Sequence, residues 1–363
     1  MEFKKLIMKP FILIGLTPQG LSMLRLLARA GFRVIAFTNT KNAVGYGSKY
    51  GEKHVFSSVD DLKTRISNIV SNYEDKLNCI ITSGELLAVV LTGFPELYEM
   101  CEVQSGPYSL IKMLSNKKLM YDFAQTKGLK CAKHTLLKDY EKGELKFPVI
   151  LKRNVEVPLF FKTKKIDTEK GLTSFIARID KNNYRHILVQ EFITIQNFKD
   201  ISFQAYLFRG EIKAVFLCYQ ERRLKIGITS FLKEIDDEKI SRKITQKCKA
   251  FFVETEYTGF CEFEFMYDLN TEELYFIEIN TRTCGLHSAF GHKFSDLHEL
   301  YLNIDLPPVL KEKPGTISWI NIARDIKARF QNKDIKNLSQ FFTSKYDILD
   351  SHDLTPFFYQ FVK

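Results

Sequence analysis

Hydrophobic positions along the chain change period at clear points, and the changes mark out its elements. Phe11-Ile12-Leu13-Ile14-Gly15 is a continuous apolar run, as a strand buried on both faces of a parallel sheet requires. Past the turn through Gly20, Leu21, Leu24, Leu27 and Ala28 recur at helical spacing. Gly31 closes that helix, and Arg33-Val34-Ile35-Ala36-Phe37 predicts a second strand. Asn78-Cys79-Ile80-Ile81 predicts another, running into Ser83, Gly84 and Glu85. Strands of open α/β sheets present a ligand crevice at that end, although a carboxylate at Glu85 also suits the first turn of a helix. Phe147-Pro148-Val149-Ile150-Leu151-Lys152 and Ile187-Leu188-Val189-Gln190-Glu191-Phe192-Ile193 read as strands, and residues 200–207 and 212–217 flank Phe208-Arg209-Gly210-Glu211 as a hairpin would.

Two later runs, 259–268 and 275–282, place carboxylates, an amide and a guanidinium among bulky apolar residues. Residues two apart in a strand share a face, so Glu262 and Glu264, and Glu278 and Asn280, form polar rows opposite Phe263, Phe265, Ile277 and Ile279. The stretch Asp268-Leu269-Asn270-Thr271-Glu272-Glu273 between the runs reads as a hairpin loop. If the rows share a face, carboxylates converge, and a hard oxygen-seeking cation such as Mg²⁺ relieves their repulsion. Lys152 follows four apolar residues of its strand, a costly place for a cation unless an anion meets it. The opening βαβ unit has a dinucleotide-fold outline, but Gly15 and Gly20 do not make Gly-x-Gly-x-x-Gly and no acid ends the second strand, which argues against NAD.

Here the sequence resembles a known family, the ATP-grasp superfamily, whose last core strands carry a metal-binding Glu and then Glu-x-Asn-x-Arg. Glu264 matches the first element, and Glu278, Asn280 and Arg282 match the second, with Thr281 where the family usually has Pro. The segment 20–31 with Gly47-Ser48-Lys49-Tyr50 resembles the N-terminal lobe of the carboxylate–amine ligase group, similar to D-aspartate ligase-like proteins. The tail with Trp319, Asp325 and His352-Asp353-Leu354-Thr355-Pro356 resembles that group's tail, and Lys225-Ile226-Gly227-Ile228-Thr229-Ser230 its acceptor loop. The resemblance implies an α/β protein with α+β lobes: an ATP-grasp fold behind a Rossmann-like pre-ATP-grasp lobe. Its expected domains are that lobe at 1–112, a small lid lobe at 113–195, a catalytic lobe at 196–310 and a C-terminal extension at 311–363.

The implied activity is Mg²⁺-ATP-dependent ligation of a carboxylate to an amine through an acylphosphate, releasing ADP and phosphate. The implied cofactors are ATP and Mg²⁺, with Mn²⁺ as a substitute. Metal ligands are Glu264, Glu278 and Asn280, and Arg282 and Lys152 are catalytic. Lys117, Lys118, Lys152 and Lys162 face phosphate, Lys117 aligning better than Lys118. Gln190, Glu191, Phe192 and Ile193 form the adenine hinge, and Asp200 meets the ribose. The segment Asn154-Val155-Glu156-Val157-Pro158-Leu159-Phe160-Phe161-Lys162 lacks the glycines of a usual phosphate lid. That departure keeps two rivals in view, a non-catalytic ATP-binding accessory protein and a small-molecule kinase of the same fold.

Composition adds less. Lys and Arg exceed Asp and Glu by 53 to 43, a formal +10, but the cations are scattered and form no nucleic-acid module. The expected partners are small molecules, an amino acid or short peptide among them, without nucleic acid or membrane, and a homodimer stays open. Seven dispersed cysteines with no Cys-x-x-Cys pair suit a reducing compartment. The run Met1–Pro10, broken by Lys9-Pro10, does not read as a signal peptide, so a cytoplasmic location is expected. His287, His292 and His298 lie close in sequence, but their spacing suits no tetrahedral zinc site.

Overall fold

The structure, a computed structural model, describes residues 9–225, 227–302, 306–334 and 336–361. The predicted N-terminal run through residue 8 and Ile226 of the loop 225–230 lie outside the described residues. The chain divides into two compact units, one of residues 1–108, 201–262 and 280–363, the other of 109–200 and 263–279.

In the first unit a five-stranded parallel sheet runs in the order Glu52–Val55, Val34–Thr38, Phe11–Ile14, Leu77–Ile81, Cys101–Val103. Phe11 to Ile14 are all buried, Ile12 opposite Ile35 on one side and Cys79 on the other. The crossover helix starts at Pro18, ahead of the first periodic leucine, because proline's fixed φ suits the first turn. Gly15 takes φ +109°, and a Cβ on Gly20 would sit 2.1 Å from the Gly15 carbonyl oxygen. These glycines bring strand end and helix start into contact.

A seven-stranded sheet follows the order Leu274–Asn280, Gly259–Asp268, Phe198–Phe208, Glu211–Arg223, Thr229–Glu234, Ser318–Ile320, Lys345–Tyr346. The predicted hairpin at 208–211 closes more tightly than expected. Its strands reach Phe208 and Glu211, leaving Arg209 and Gly210 at φ +47° and +79°, the geometry of a two-residue hairpin turn. Trp319 of the tail is fully buried and donates to Ser288 Oγ at 2.7 Å. Asp353 takes the buried Arg25 guanidinium at 2.9 Å, tying the tail to the first helix.

In the second unit the sheet order is His134–Leu136, Ile187–Glu191, Val149–Arg153, Thr163–Ile166, all antiparallel. Its core gathers Leu137, Val149, Leu151, Leu172, Ile187 and Val189. The helix Lys117–Thr126 begins on Asn116, whose side chain caps it by accepting from Leu119 N–H. Among the described residues no helix is long and apolar enough to cross a membrane. All seven cysteines are free. Burial pushes the thiols of Cys79, Cys218, Cys248, Cys261 and Cys284 well above their usual range, and those of Cys101 and Cys131 up to about 12, so these sulfurs pack as apolar groups.

Candidate active site

Within the second unit Lys117, at the start of a helix, and Lys152, on a strand, meet two carboxylates of the sequence reading. Lys117 Nζ lies 3.1 Å from Glu278 Oε2, and that carboxylate is the main reason the lysine's pKa rises above its ordinary value. Lys152 Nζ donates to Tyr121 Oη at 3.1 Å and to Gln190 Oε1 at 2.9 Å. Burial lowers its pKa to about 8, and Lys117 pushes it further down while Glu278 and Glu264 oppose the fall. A cation here has only neutral hydrogen-bond acceptors, under the field of two carboxylates and a second cation. An added anion would stabilise it.

The supports of this cluster were not legible beforehand. Tyr121 is buried, lends Lys152 its ring face at 5.6 Å and donates to the Ile277 carbonyl. The Asn154 carbonyl accepts from Lys117 N–H and its side chain from Lys118 N–H, each at 2.8 Å. With Asn116 on Leu119 N–H, the first backbone donors of that helix are occupied. Lys118 Nζ pairs with Asp122 at 2.7 Å, away from the Lys117–Glu278 pair. Lys162 is exposed.

At the predicted hinge, Gln190 turns its side chain to Lys152, and Glu191 accepts from Lys146 N–H at 2.9 Å. The N–H groups of Glu191 and Phe192 are spent on the carbonyls of Lys133 and Pro148. Ile193 and Asp200 are half-buried. The segment 154–162 is held by aromatic packing, Phe160 and Phe161 lying 5.6 Å and 5.3 Å from Phe175, and by Arg153 on the Val157 carbonyl at 3.0 Å.

The first unit holds the rest of the motif. Glu262, expected to share an open acidic row with Glu264, is instead 4% exposed, bonded to Ser202 Oγ at 2.5 Å and accepting from Asn280 Nδ2 at 3.1 Å. Asn280 Oδ1 accepts from Arg282 Nη2 at 3.0 Å, and Arg282 Nη1 reaches the Thr283 carbonyl. A Cβ on Gly84 would lie 3.3 Å from Arg282 Nε and Nη2, so the guanidinium packs closely over this glycine and a side chain there would shift it by a few tenths of an ångström. Ser83 caps the helix Gly84–Gly93 and Glu85 stands in its first turn, the second of its two sequence readings. His287 packs edge-on to Phe260 at 4.5 Å, and burial lowers its pKa to about 3, making it a neutral core residue. His292 meets the Tyr346 carbonyl at 3.0 Å. Among the described residues no three His, Cys, Asp or Glu side chains are placed to hold a metal together.

A parallel βαβ lobe, an antiparallel small sheet and a strand pair carrying Glu264 and Glu278-x-Asn280-x-Arg282 give the chain an ATP-grasp fold, the fold of the solved structures it superposes on. Residues 215–292 match the family described as carbamoyl-phosphate synthase L chain, ATP binding domain. The ADP complex of purK, an N5-carboxyaminoimidazole ribonucleotide synthetase, superposes with a TM-score of 0.68 at 16% identity, covering 90% of this chain and 85% of that one. The Staphylococcus aureus N5-carboxyaminoimidazole synthetase complexed with ADP gives 0.67 at 15%, over 87% and 82%. The L-amino acid ligase from Bacillus licheniformis gives 0.62 at 14%, over 84% and 75%. No curated protein sequence matches the chain.

Proposed function

We propose that the protein is an ATP-dependent carboxylate–amine ligase. The observation that carries this reading is Lys152, a cation at the end of an apolar strand with neutral acceptors only, beside Lys117, Glu264 and Glu278. ATP phosphates supply the missing anion, and the superposed purK and S. aureus proteins are ADP complexes. Two carboxylates suit Mg²⁺, which typically takes one or two from the protein and completes its sphere with water and phosphate oxygens. Glu264 and Glu278 would hold it, with Asn280 joining once its Oδ1 gives up Arg282, and it would neutralise charge on the phosphates. Lys117 and Lys152 orient the nucleotide, and Ile193 with the hinge carbonyls is left to meet adenine. In the reaction a substrate carboxylate oxygen bonds to the γ-phosphorus as the bond to ADP breaks. An uncharged amine then forms the C–N bond, expelling phosphate and losing its proton. Arg282 is proposed to steady the transferred group.

The test is a screen of amino acids and short peptides for substrate-dependent ADP release, with hydroxylamine trapping the acylphosphate as a hydroxamate when the amine is omitted. Arg282→Ala should lower hydroxamate yield far more than ATP affinity. AMP and pyrophosphate as products, or phosphorylated enzyme, would overturn the mechanism. A second reading, an ATP-binding accessory protein, is favoured by the aromatic anchoring of the glycine-free segment 154–162. It predicts tight ATP binding with no substrate-dependent ADP.

A further inference from the structure

Glu262 is a buried carboxylate that the proposed ligase chemistry does not use. It is 4% exposed and stands between Ser202, which is fully buried, and Asn280, the three residues lying on neighbouring strands of the seven-stranded sheet. All three belong to the first unit, as do Arg282 and Thr283. The surroundings of Glu262 do not favour a charge. Burial raises the thiol pKa values of Cys218, Cys261 and Cys284, and the Glu262 charge raises each of them further, so three neutral thiols stand close enough to feel it. Holding a carboxylate in such a place costs more than holding a neutral side chain of the same shape.

What the carboxylate supplies in return is a fixed direction of hydrogen bonding. A glutamine would fill the same space, but its amide can donate or accept, whereas an ionised carboxylate accepts at both oxygens. Ser202 Oγ donates to Oε1 at 2.5 Å and Asn280 Nδ2 to Oε2 at 3.1 Å. With its NH₂ end committed to Glu262, Asn280 presents its oxygen on the other side, and Arg282 Nη2 donates to that oxygen at 3.0 Å. A guanidinium has no acceptor, so it could not use the flipped amide. Arg282 Nη1 completes the row on the Thr283 carbonyl at 3.0 Å. The two ends of the row thus agree on one orientation of an amide whose shape is nearly the same in both.

We propose that Glu262 is a positioning residue that fixes the orientation of the Asn280 amide and, through the Asn280 oxygen, the place of the Arg282 guanidinium. Its consequence for catalysis rests on the ligase reading, which gives Arg282 the group in transfer.

The experiment is footprinting of the nucleotide-free protein with phenylglyoxal, which modifies guanidinium groups. The Arg282 peptide is followed by mass spectrometry in wild type, Glu262→Gln and the double variant Glu262→Gln/Asn280→Asp. Arg282 is half-buried, within reach of a small reagent. In Glu262→Gln the Asn280 amide is free to flip, Arg282 loses its acceptor for part of the time, and modification should run several-fold faster than in wild type. The double variant moves the carboxylate one place along the row. The amide at 262 then donates to the carboxylate at 280, which again offers Arg282 only an acceptor, and the rate should return to wild type or fall below it. A role in packing alone would not give that rescue. A wild-type rate in Glu262→Gln, or a double variant as reactive as the single one, overturns the proposal. Should Glu262→Gln fail to fold, the double variant, which keeps one carboxylate in the row, decides alone: a rate at or below wild type supports the proposal and a faster one overturns it. No turnover is required, so failure here is separable from failure of the ligase reading, which the ADP-release screen decides. Once a substrate is known, Glu262→Gln should lower kcat about tenfold with ATP affinity unchanged, and an unchanged kcat overturns the catalytic consequence.

Discussion

Lys152 gives the sharpest test of the site, because its pKa of about 8 puts a phosphate-binding charge within an accessible pH range. In the free protein the lysine is about 10% neutral at pH 7, half neutral at pH 8 and about 90% neutral at pH 9. Nucleotide phosphates favour the charged form, so binding should draw in roughly 0.1, 0.5 and 0.9 protons at those values, as long as the complex keeps Lys152 charged. Apparent affinity should therefore be nearly flat below pH 7 and weaken toward tenfold per unit above pH 8. Calorimetry of ADP binding in buffers of different ionisation enthalpy reads the proton number directly. Lys152→Met should bind weakly with no such uptake, and Lys152→Arg should bind without pH dependence. The unliganded protein has the same signature in its stability. The folded pKa lies below the usual 10.5, so the unfolded chain holds the extra proton between about pH 8 and 10.5. This group's destabilising effect is fully present below pH 8 and fades as pH rises through that window. Buffer-independent binding enthalpy at pH 8 to 9, or equal proton uptake in Lys152→Met, would refute the placement of Lys152 on phosphate.

Lys117 and Glu278 are mutual counter-ions with side chains 30% and 34% exposed, so a double-mutant cycle with Lys117→Met and Glu278→Gln, followed by urea unfolding, should show coupling of about 1 kcal/mol or less. Glu278→Gln should abolish Mg²⁺-dependent turnover with little change in the melting curve; normal turnover with Mg²⁺ removes Glu278 from the metal site. Gly84→Ala should push Arg282 aside and lower kcat more than ATP affinity, as steady-state kinetics would show, with the circular dichroism spectrum kept. Lys152→Ala should weaken nucleotide binding more than Lys138→Ala, whose side chain is half exposed beside Asp139, and equal affinities by calorimetry would reject that ordering.

What the sequence determined by itself is what short-range geometry encodes. The run Phe11–Ile14 could only be a strand buried on both faces, and it lies third in a five-stranded parallel sheet. Glu278, Asn280 and Arg282 are spaced by covalent connectivity, so their order along one strand and the turn after it was legible without a partner in view. The tertiary structure decided which polar groups meet. Lys117 reaches Glu278 across 161 residues, and Ser202 removes Glu262 from the acidic row across 60. Tyr121 and Asn154, unremarkable in sequence, became the supports of the two lysines. Arg324 and Arg222 look alike as letters, yet one was left with a lone carbonyl and the other with two carboxylates. A strand's period fixes which face a side chain takes. Its electrostatic environment is set by whatever distant segment packs against that face, and only the folded chain specifies that.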